Sequence, residues 1–256
     1  MPIEVDLNCD MGESFGLYKI GNDEEMMKQV TSANVACGFH AGDPHVMKRT
    51  VSLAKEYGVA VGAHPGYPDP IGFGRRRLEV SPEEAGDYIL YQVGALRAFC
   101  EAAGLEFQHV KPHGQLYNMA WKDEALARGI LEGVRQIKPE PIFLALYNTI
   151  PYEMAQSMGV RVVGELYADL DYAPDGTTFI KKVHGEIDVE ATVKKVLKMV
   201  LEQRVTAADG KEIEVKGKSI CFHGDNPKGP EIVRAVRREL EKKGVKIIPL
   251  RLHSRA

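Results

Sequence analysis

The stretch VDLNCDMGE (5–13) places two carboxylates and an amide at alternate positions of what reads as a first β-strand. Alternate side chains of a strand point to opposite faces, so Asp6, Asn8 and Asp10 share one face and Val5, Leu7 and Cys9 the other. Buried carboxylates are rare unless they are paired or do chemistry. Similar groups recur along the chain. His40 follows SANVACGF, with Asp43 just beyond; His64 ends VAVGAH; His109, Lys111 and His113 alternate in FQHVKPH. Glu165 and Asp169 follow a sixth apolar run, and His223 and Asp225 end ICFHGD. Imidazoles and carboxylates brought together activate water or ligate a metal, and a buried lysine stabilises a developing anion. The candidate catalytic groups are therefore Asp6, Asp10, His40, His64, Lys111 and His113. The candidates for holding a substrate are Asn8, Asp43, Arg75, Arg76, Asn118, Glu165, Asp169 and His223.

Blander readings compete at several positions. Asp10 and Asp43 have the residue type of helix N-caps, and His64 and His109 that of satisfied core histidines. His45 and His184 read as structural or surface groups, and Cys37 and Cys221 as small buried strand residues rather than nucleophiles. For Arg75, Arg76 and Arg77, a solvated charge run and a mobile lid carrying a cation to a substrate carboxylate stand even.

Such scattered groups need a scaffold that gathers them. Short apolar runs at 3–9, 32–38, 58–63, 107–112, 141–146, 160–165, 219–223 and 245–250 alternate with helical patterns. At 81–104, Ser81 is placed as N-cap, Pro82 opens the helix, Glu84 completes a capping box and Gly104 stops it. A second amphipathic segment, 230–244, puts Ile232, Val233, Val236 and Leu240 on one face. Repeated strand–helix units imply parallel strands. No Gly-x-Gly-x-x-Gly follows the first strand, which favours an α/β barrel, (β/α), of about seven to eight parallel strands over a doubly wound sheet. The expectation is one domain over 1–256, with a long Pro/Gly-rich loop at 65–77 and a small hairpin at 204–218 turning at Asp209-Gly210. In such a barrel the active site lies at the C-terminal ends of the strands, where the candidates fall.

The formal net charge of −3 gives no reason to expect nucleic acid or an anionic membrane as partner. Four cysteines without Cys-x-x-Cys spacing, and an N-terminus that meets Glu4, Asp6 and Asp10 at once, point to a cytoplasmic protein. GKS at 217–219 lacks the first glycine of a phosphate-binding P-loop, Glu212 standing in its place.

The motifs DLNCDMGESFG, ANVACGFHAGDP, GAHPGYPD with IGFGRR, VKPHGQLYN, DGTTFI and HGDNP occur in this order from residue 6 to about residue 227. In them the chain closely resembles the LamB/YcsF family, the A component of bacterial and archaeal 5-oxoprolinase. The resemblance implies a barrel of the polysaccharide-deacetylase type. It also implies ATP-dependent opening of 5-oxo-L-proline to L-glutamate, together with B and C subunits. With no P-loop in this chain, ATP would be handled mainly or jointly by those partners. Whether a divalent metal takes part stays open. One departure stands out: the family usually has Arg after Asp169, where this chain has Leu170. The missing cation's task would then fall to Lys181, Lys182 or the arginines at 75–77. Two other functions fit the same residues: a stand-alone metal-dependent deacetylase or amidohydrolase, and a non-catalytic lactam-binding subunit.

Overall fold

The computed structural model describes residues 2–179, 188–224 and 226–253. Lys181, Lys182, His184 and Asp225 lie outside the described residues. The chain runs β1 (Glu4–Met11), α1 (Asp23–Met27), β2 (Ser32–Ala36), α2 (Pro44–Tyr57), β3 (Ala60–His64), α3 (Pro82–Ala103), β4 (Phe107–Val110), α4 (Gly114–Ala120) and α5 (Glu124–Gln136). It continues with β5 (Ile142–Leu146), α6 (Ile150–Ser157), β6 (Val162–Tyr167), α7 (Val189–Glu202), β7 (Arg204–Thr206), β8 (Glu212–Glu214), β9 (Ser219–His223), α8 (Gly229–Lys242) and β10 (Lys246–Ile247).

Strands β1 to β6 pair in chain order, all parallel, and β9 pairs with both β6 and β1. The result is a closed parallel barrel of seven strands surrounded by helices. Closure sets Asp6 opposite Ser219 and Asp10 opposite His223. Outward-facing residues such as Val5, Leu7 and Cys9 join the apolar layer under the helices. The helices end where the sequence expects: Ser81 and Glu84 form a capping box on α3, and Gly104 takes the left-handed conformation at its C-terminus. Strands β7 and β8 form the expected hairpin, with Gly210 at φ +85°.

The eighth apolar run departs from expectation. Only Lys246–Ile247 is strand, pairing with the start of β1 outside the closed ring. Pro249 then leads into a 3₁₀ turn, Leu250–Leu252, and Leu250 packs against Ile142 and Leu144. Among the described residues, no helix is long and apolar enough to cross a membrane.

Candidate active site

The polar face of β1 forms a column inside the barrel. At its lower end Asp6 accepts hydrogen bonds from the hydroxyls of Thr31, Ser32 and Ser219. Burial raises its pKa in spite of those bonds. Ser219 is the serine of the GKS stretch, so its hydroxyl serves a carboxylate rather than a phosphate. One step up, Asn8 donates to Glu165 at 3.0 Å and accepts from Asn34 at 2.7 Å. Asn34 also donates to Asp10 at 2.8 Å and accepts from His109 Nε2 at 2.7 Å. Gly62 makes room for this crossing, since a Cβ there would lie 2.2 Å from the His109 ring. Burial drives the pKa of His109 down to about 3, which keeps it neutral.

Asp10 reaches the top of the column, where the strands end. Lys111 Nζ lies 2.8 Å from Asp10 Oδ1, 3.3 Å from Glu165 Oε1 and 3.0 Å from Cys221 Sγ. Burial works against the lysine's charge, but Asp10, Cys221 and Glu165 hold its pKa well above the ordinary value. Burial likewise opposes the charge of Asp10, and there His64 and Lys111 win and hold the carboxyl well below the usual range. This buried ion pair places a fixed cation and a fixed anion side by side at the pocket floor.

Four imidazoles complete the site. His64 Nδ1 lies 2.6 Å from the Lys111 carbonyl and His113 Nε2 lies 2.8 Å from that of Phe73, with 2.9 Å between the other two nitrogens. His40 stacks on His113, ring centroids 3.7 Å apart, and its Nε2 is 3.3 Å from Glu13 Oε1. Burial, reinforced by the neighbouring imidazoles, pushes His40 and His113 well below the usual histidine range. His223 behaves oppositely. Burial pulls its pKa down, but Asp169, 2.8 Å from Nδ1, outweighs this and raises it to about 9. At neutral pH the pocket thus holds neutral imidazoles, His40 and His113, beside one, His223, that can donate a proton.

Among the described residues, two groups bring metal-ligating atoms within 4.8 Å of one another: Glu13, His40, His64 and His113, and separately Asp10, Cys221 and His223. The second fits a cation poorly, because the Lys111 ammonium touches both Asp10 and Cys221 and His223 is itself charged. The first offers imidazoles and a carboxylate, a donor set that suits a transition ion.

Asp10, His64, Arg75, Lys111, His113, Asn118 and His223 all line one cavity at the C-terminal end of the barrel. His40 lies behind His113. Asp6 and Asn8 sit below Asp10 and do not line the cavity; the column orients Asp10. Glu165 supports Lys111 from beneath, and Asp169 holds His223. Asp43 caps α2, accepts from Gly16 and does not line the cavity. Arg76 turns away to pair with Asp69, its side chain 61% exposed.

The 65–77 loop is hydrogen-bonded to its surroundings at several points. Gly66 is bound through Gln92, the Gly74 N–H donates to the Asp69 carbonyl, and the Gly74 carbonyl accepts from Gln115. Gly74 has φ +63°, and a Cβ there would sit 2.8 Å from both His113 and His40. Arg75 alone of the three arginines lines the cavity. Leu170 lines it too, presenting an apolar wall. The sequence reading missed Glu13, Tyr117, Trp121, Tyr167 and Thr178 as cavity residues. For Glu13 the signal was its place three residues beyond Asp10 in the first motif.

A closed parallel barrel with ionisable groups at the C-terminal strand ends is the architecture of a barrel enzyme. Residues 5–255 match the LamB/YcsF family, and the chain belongs to it. It is 54% identical over 250 residues to a protein of Thermococcus onnurineus named as the A component of 5-oxoprolinase, covering 97% of this chain and 98% of that one. A protein of the same name from Pyrococcus horikoshii is 53% identical over 251 residues, with 97% and 98% covered. Among solved structures, a lactam utilization protein from Thermus thermophilus superposes with a TM-score of 0.89 at 44% identity, over 96% of this chain and 99% of that one.

Proposed function

We propose that this chain is the lactam-opening component of an ATP-dependent 5-oxoprolinase, converting 5-oxo-L-proline to L-glutamate together with B and C subunits. The observation that carries this reading is the meeting, in one cavity, of the imidazole acceptors His64 and His113 with the cations Lys111 and His223. The names of close relatives point the same way.

An unstrained γ-lactam is a resonance-stabilised amide and a poor electrophile. Phosphorylation of its carbonyl oxygen by ATP, on the partner subunits, makes the ring carbon open to water. In this reading water adds to that carbon and the carbon–nitrogen bond breaks, the nitrogen taking up a proton to become the amine, which leaves γ-glutamyl phosphate. A second water hydrolyses this acyl phosphate to L-glutamate and phosphate. His64 Nε2, 3.3 Å from the Asp10 carboxylate, is placed to receive the water proton. Lys111 stabilises charge developing on oxygen, and protonated His223 supplies the proton to nitrogen. Arg75, whose guanidinium lies over the Phe73 ring, is the cation for the substrate carboxylate. Four buried free thiols fit a reducing, cytoplasmic setting.

The test is glutamate release from 5-oxoproline by this chain alone and with its B and C partners, each with and without ATP. Release is expected only with partners and ATP. ATP-independent release by the lone chain, abolished by a chelator, would replace this reading with a stand-alone metal-dependent amidohydrolase. Lactam binding with no contribution to turnover would leave a carrier role.

A further inference from the structure

The lysine of the GKS stretch has no task in the reaction cavity. Lys218 lies at the other end of the barrel, where its carbonyl accepts from the Asp6 N–H at 2.7 Å, under the foot of the polar column. There it lines a cleft of about 640 Å³ together with Tyr152, Arg161, Gln203, Lys216 and His253. The volume falls in the range of small-molecule sites. No carboxylate is among the residues that line it, in a chain whose net charge is −3. A Cβ on Gly164 would lie 2.1 Å from the Lys216 carbonyl, and one on Gly217 2.7 Å from the Gly164 carbonyl. Glycine at both positions lets β6 and the 216–218 segment touch, which sets Lys216 and Lys218 beside the strand.

The three cations are unevenly satisfied. Lys216 pairs with Glu214 at 3.1 Å. Among the described residues, Arg161 reaches only the Leu250 carbonyl, at 3.4 Å, and Lys218 Nζ has no ion-pair partner. His253 adds an imidazole that is only 8% exposed. Its Nε2 lies 3.0 Å from the Ile248 carbonyl, which only accepts, so Nε2 carries hydrogen. In the neutral ring Nδ1 is then an acceptor, and it has no partner among the described residues. A buried polar atom of this kind calls for one. A fitting ligand brings negative charge for the ammonium and guanidinium groups and an O–H for the imidazole. Hydrogen phosphate has both; sulfate and carboxylates, ionised at neutral pH, have only the first.

We propose that this cleft binds a phosphate group, free as inorganic phosphate or borne by a nucleotide, with its anionic oxygens on Arg161, Lys216 and Lys218 and its O–H on His253 Nδ1. The planar fork of Arg161 takes two oxygens, and the lysines act as point charges. The site stands at the N-terminal end of the strands, apart from the reaction cavity, and does not need the lactam reading.

The experiment titrates the full chain, without substrate or partners, with sodium phosphate, sodium sulfate and ADP by calorimetry at constant ionic strength. One equivalent of phosphate is expected to bind, and sulfate at least about 10-fold more weakly, since it leaves the buried nitrogen unpaired. Binding of ADP alone assigns the site to a nucleotide, and binding of phosphate, with or without ADP, to the phosphate group itself. Arg161→Gln and Lys218→Gln, both at exposed positions, are expected to keep the wild-type thermal transition and to weaken binding at least about 10-fold. Lys55→Gln, exposed on α2 and outside the cleft, should leave binding unchanged. His253→Leu should erase the preference for phosphate over sulfate. Binding of neither phosphate nor ADP overturns the proposal. So does equal binding of phosphate and sulfate by the wild type, or a loss in Lys55→Gln as large as in Lys218→Gln, either of which means an adventitious ion only. Binding that Arg75→Gln removes also overturns it, because the anion would then sit in the reaction cavity. Glutamate release can fail while phosphate binds here, and the reverse, so the two readings fall separately.

Discussion

On one side of the barrel interior, β1, β2 and β9 present Asp6, Asn8, Asp10, Ser32, Asn34 and Ser219; on the other, β5 presents Ile142 and Leu144 against Leu250. Both walls are buried, yet only the first is directional. An apolar contact holds a side chain in place without aiming it. A hydrogen-bonded amide such as Asn34 fixes the Asp10 carboxylate in angle as well as position. The polar wall is costly to bury and tolerable only because its members satisfy one another. The difference teaches where the barrel aims side chains and where it only fills space.

The largest effect is expected from breaking the polar wall at its top. Asp10→Ala strands the buried Lys111 ammonium, and losing one member of such a pair costs about 3–5 kcal/mol. Urea denaturation should show that loss, with glutamate release abolished in the reconstituted complex. Leu144→Ala is the matching cut in the apolar wall. It should lower stability by about 2–5 kcal/mol through the cavity it leaves, while kcat/KM at a permissive temperature stays near wild type. If Leu144→Ala lowers kcat as Asp10→Ala does, the division between the walls is false.

A smaller, pH-dependent effect sharpens the electrostatic half. His223 titrates near 9 in the folded chain because Asp169 holds its proton. Its folded value is raised, so its stabilisation is complete below the unfolded histidine value of about 6.5 and is lost as pH rises through about 9. Asp169, with its pKa lowered chiefly by His223 against burial, contributes in the opposite sense and loses its share as pH falls through that depressed value. Asp169→Asn should move the alkaline limb of the pH–rate profile to lower pH; an unmoved limb would remove His223 as proton donor. The smallest effect belongs to Arg76→Ala. Its pairing with Asp69 is largely exposed on the arginine side, so stability should change by less than about 1 kcal/mol and kcat/KM hardly at all.

Much of this division was legible in the residues. The period of two in DLNCD put Asp6, Asn8 and Asp10 on one face, and strand ends carrying His64, Lys111 and His223 pointed to the C-terminal rim. Periodicity tells which face a residue takes but not its height in a barrel. Asp6 and Asp10 therefore looked equivalent, although closure against β9 set one beside Ser219 and the other beside His223. Glu13 escaped because Gly12, at φ +69°, breaks the alternation beyond the strand. The partners of Arg76 and Asp43 depended on loop paths that no period encodes. Pro249 ended the last apolar run early, and Leu250 became a plug instead of an eighth barrel strand.

The most direct measurement follows ATP consumption and glutamate release together in the complex of this chain with the proposed B and C subunits, for the wild type and for Asp10→Asn. If the polar column ends in the lactam-opening pocket, wild type couples the two, and Asp10→Asn goes on consuming ATP while glutamate release stops. Glutamate release at the wild-type rate from Asp10→Asn would contradict the account.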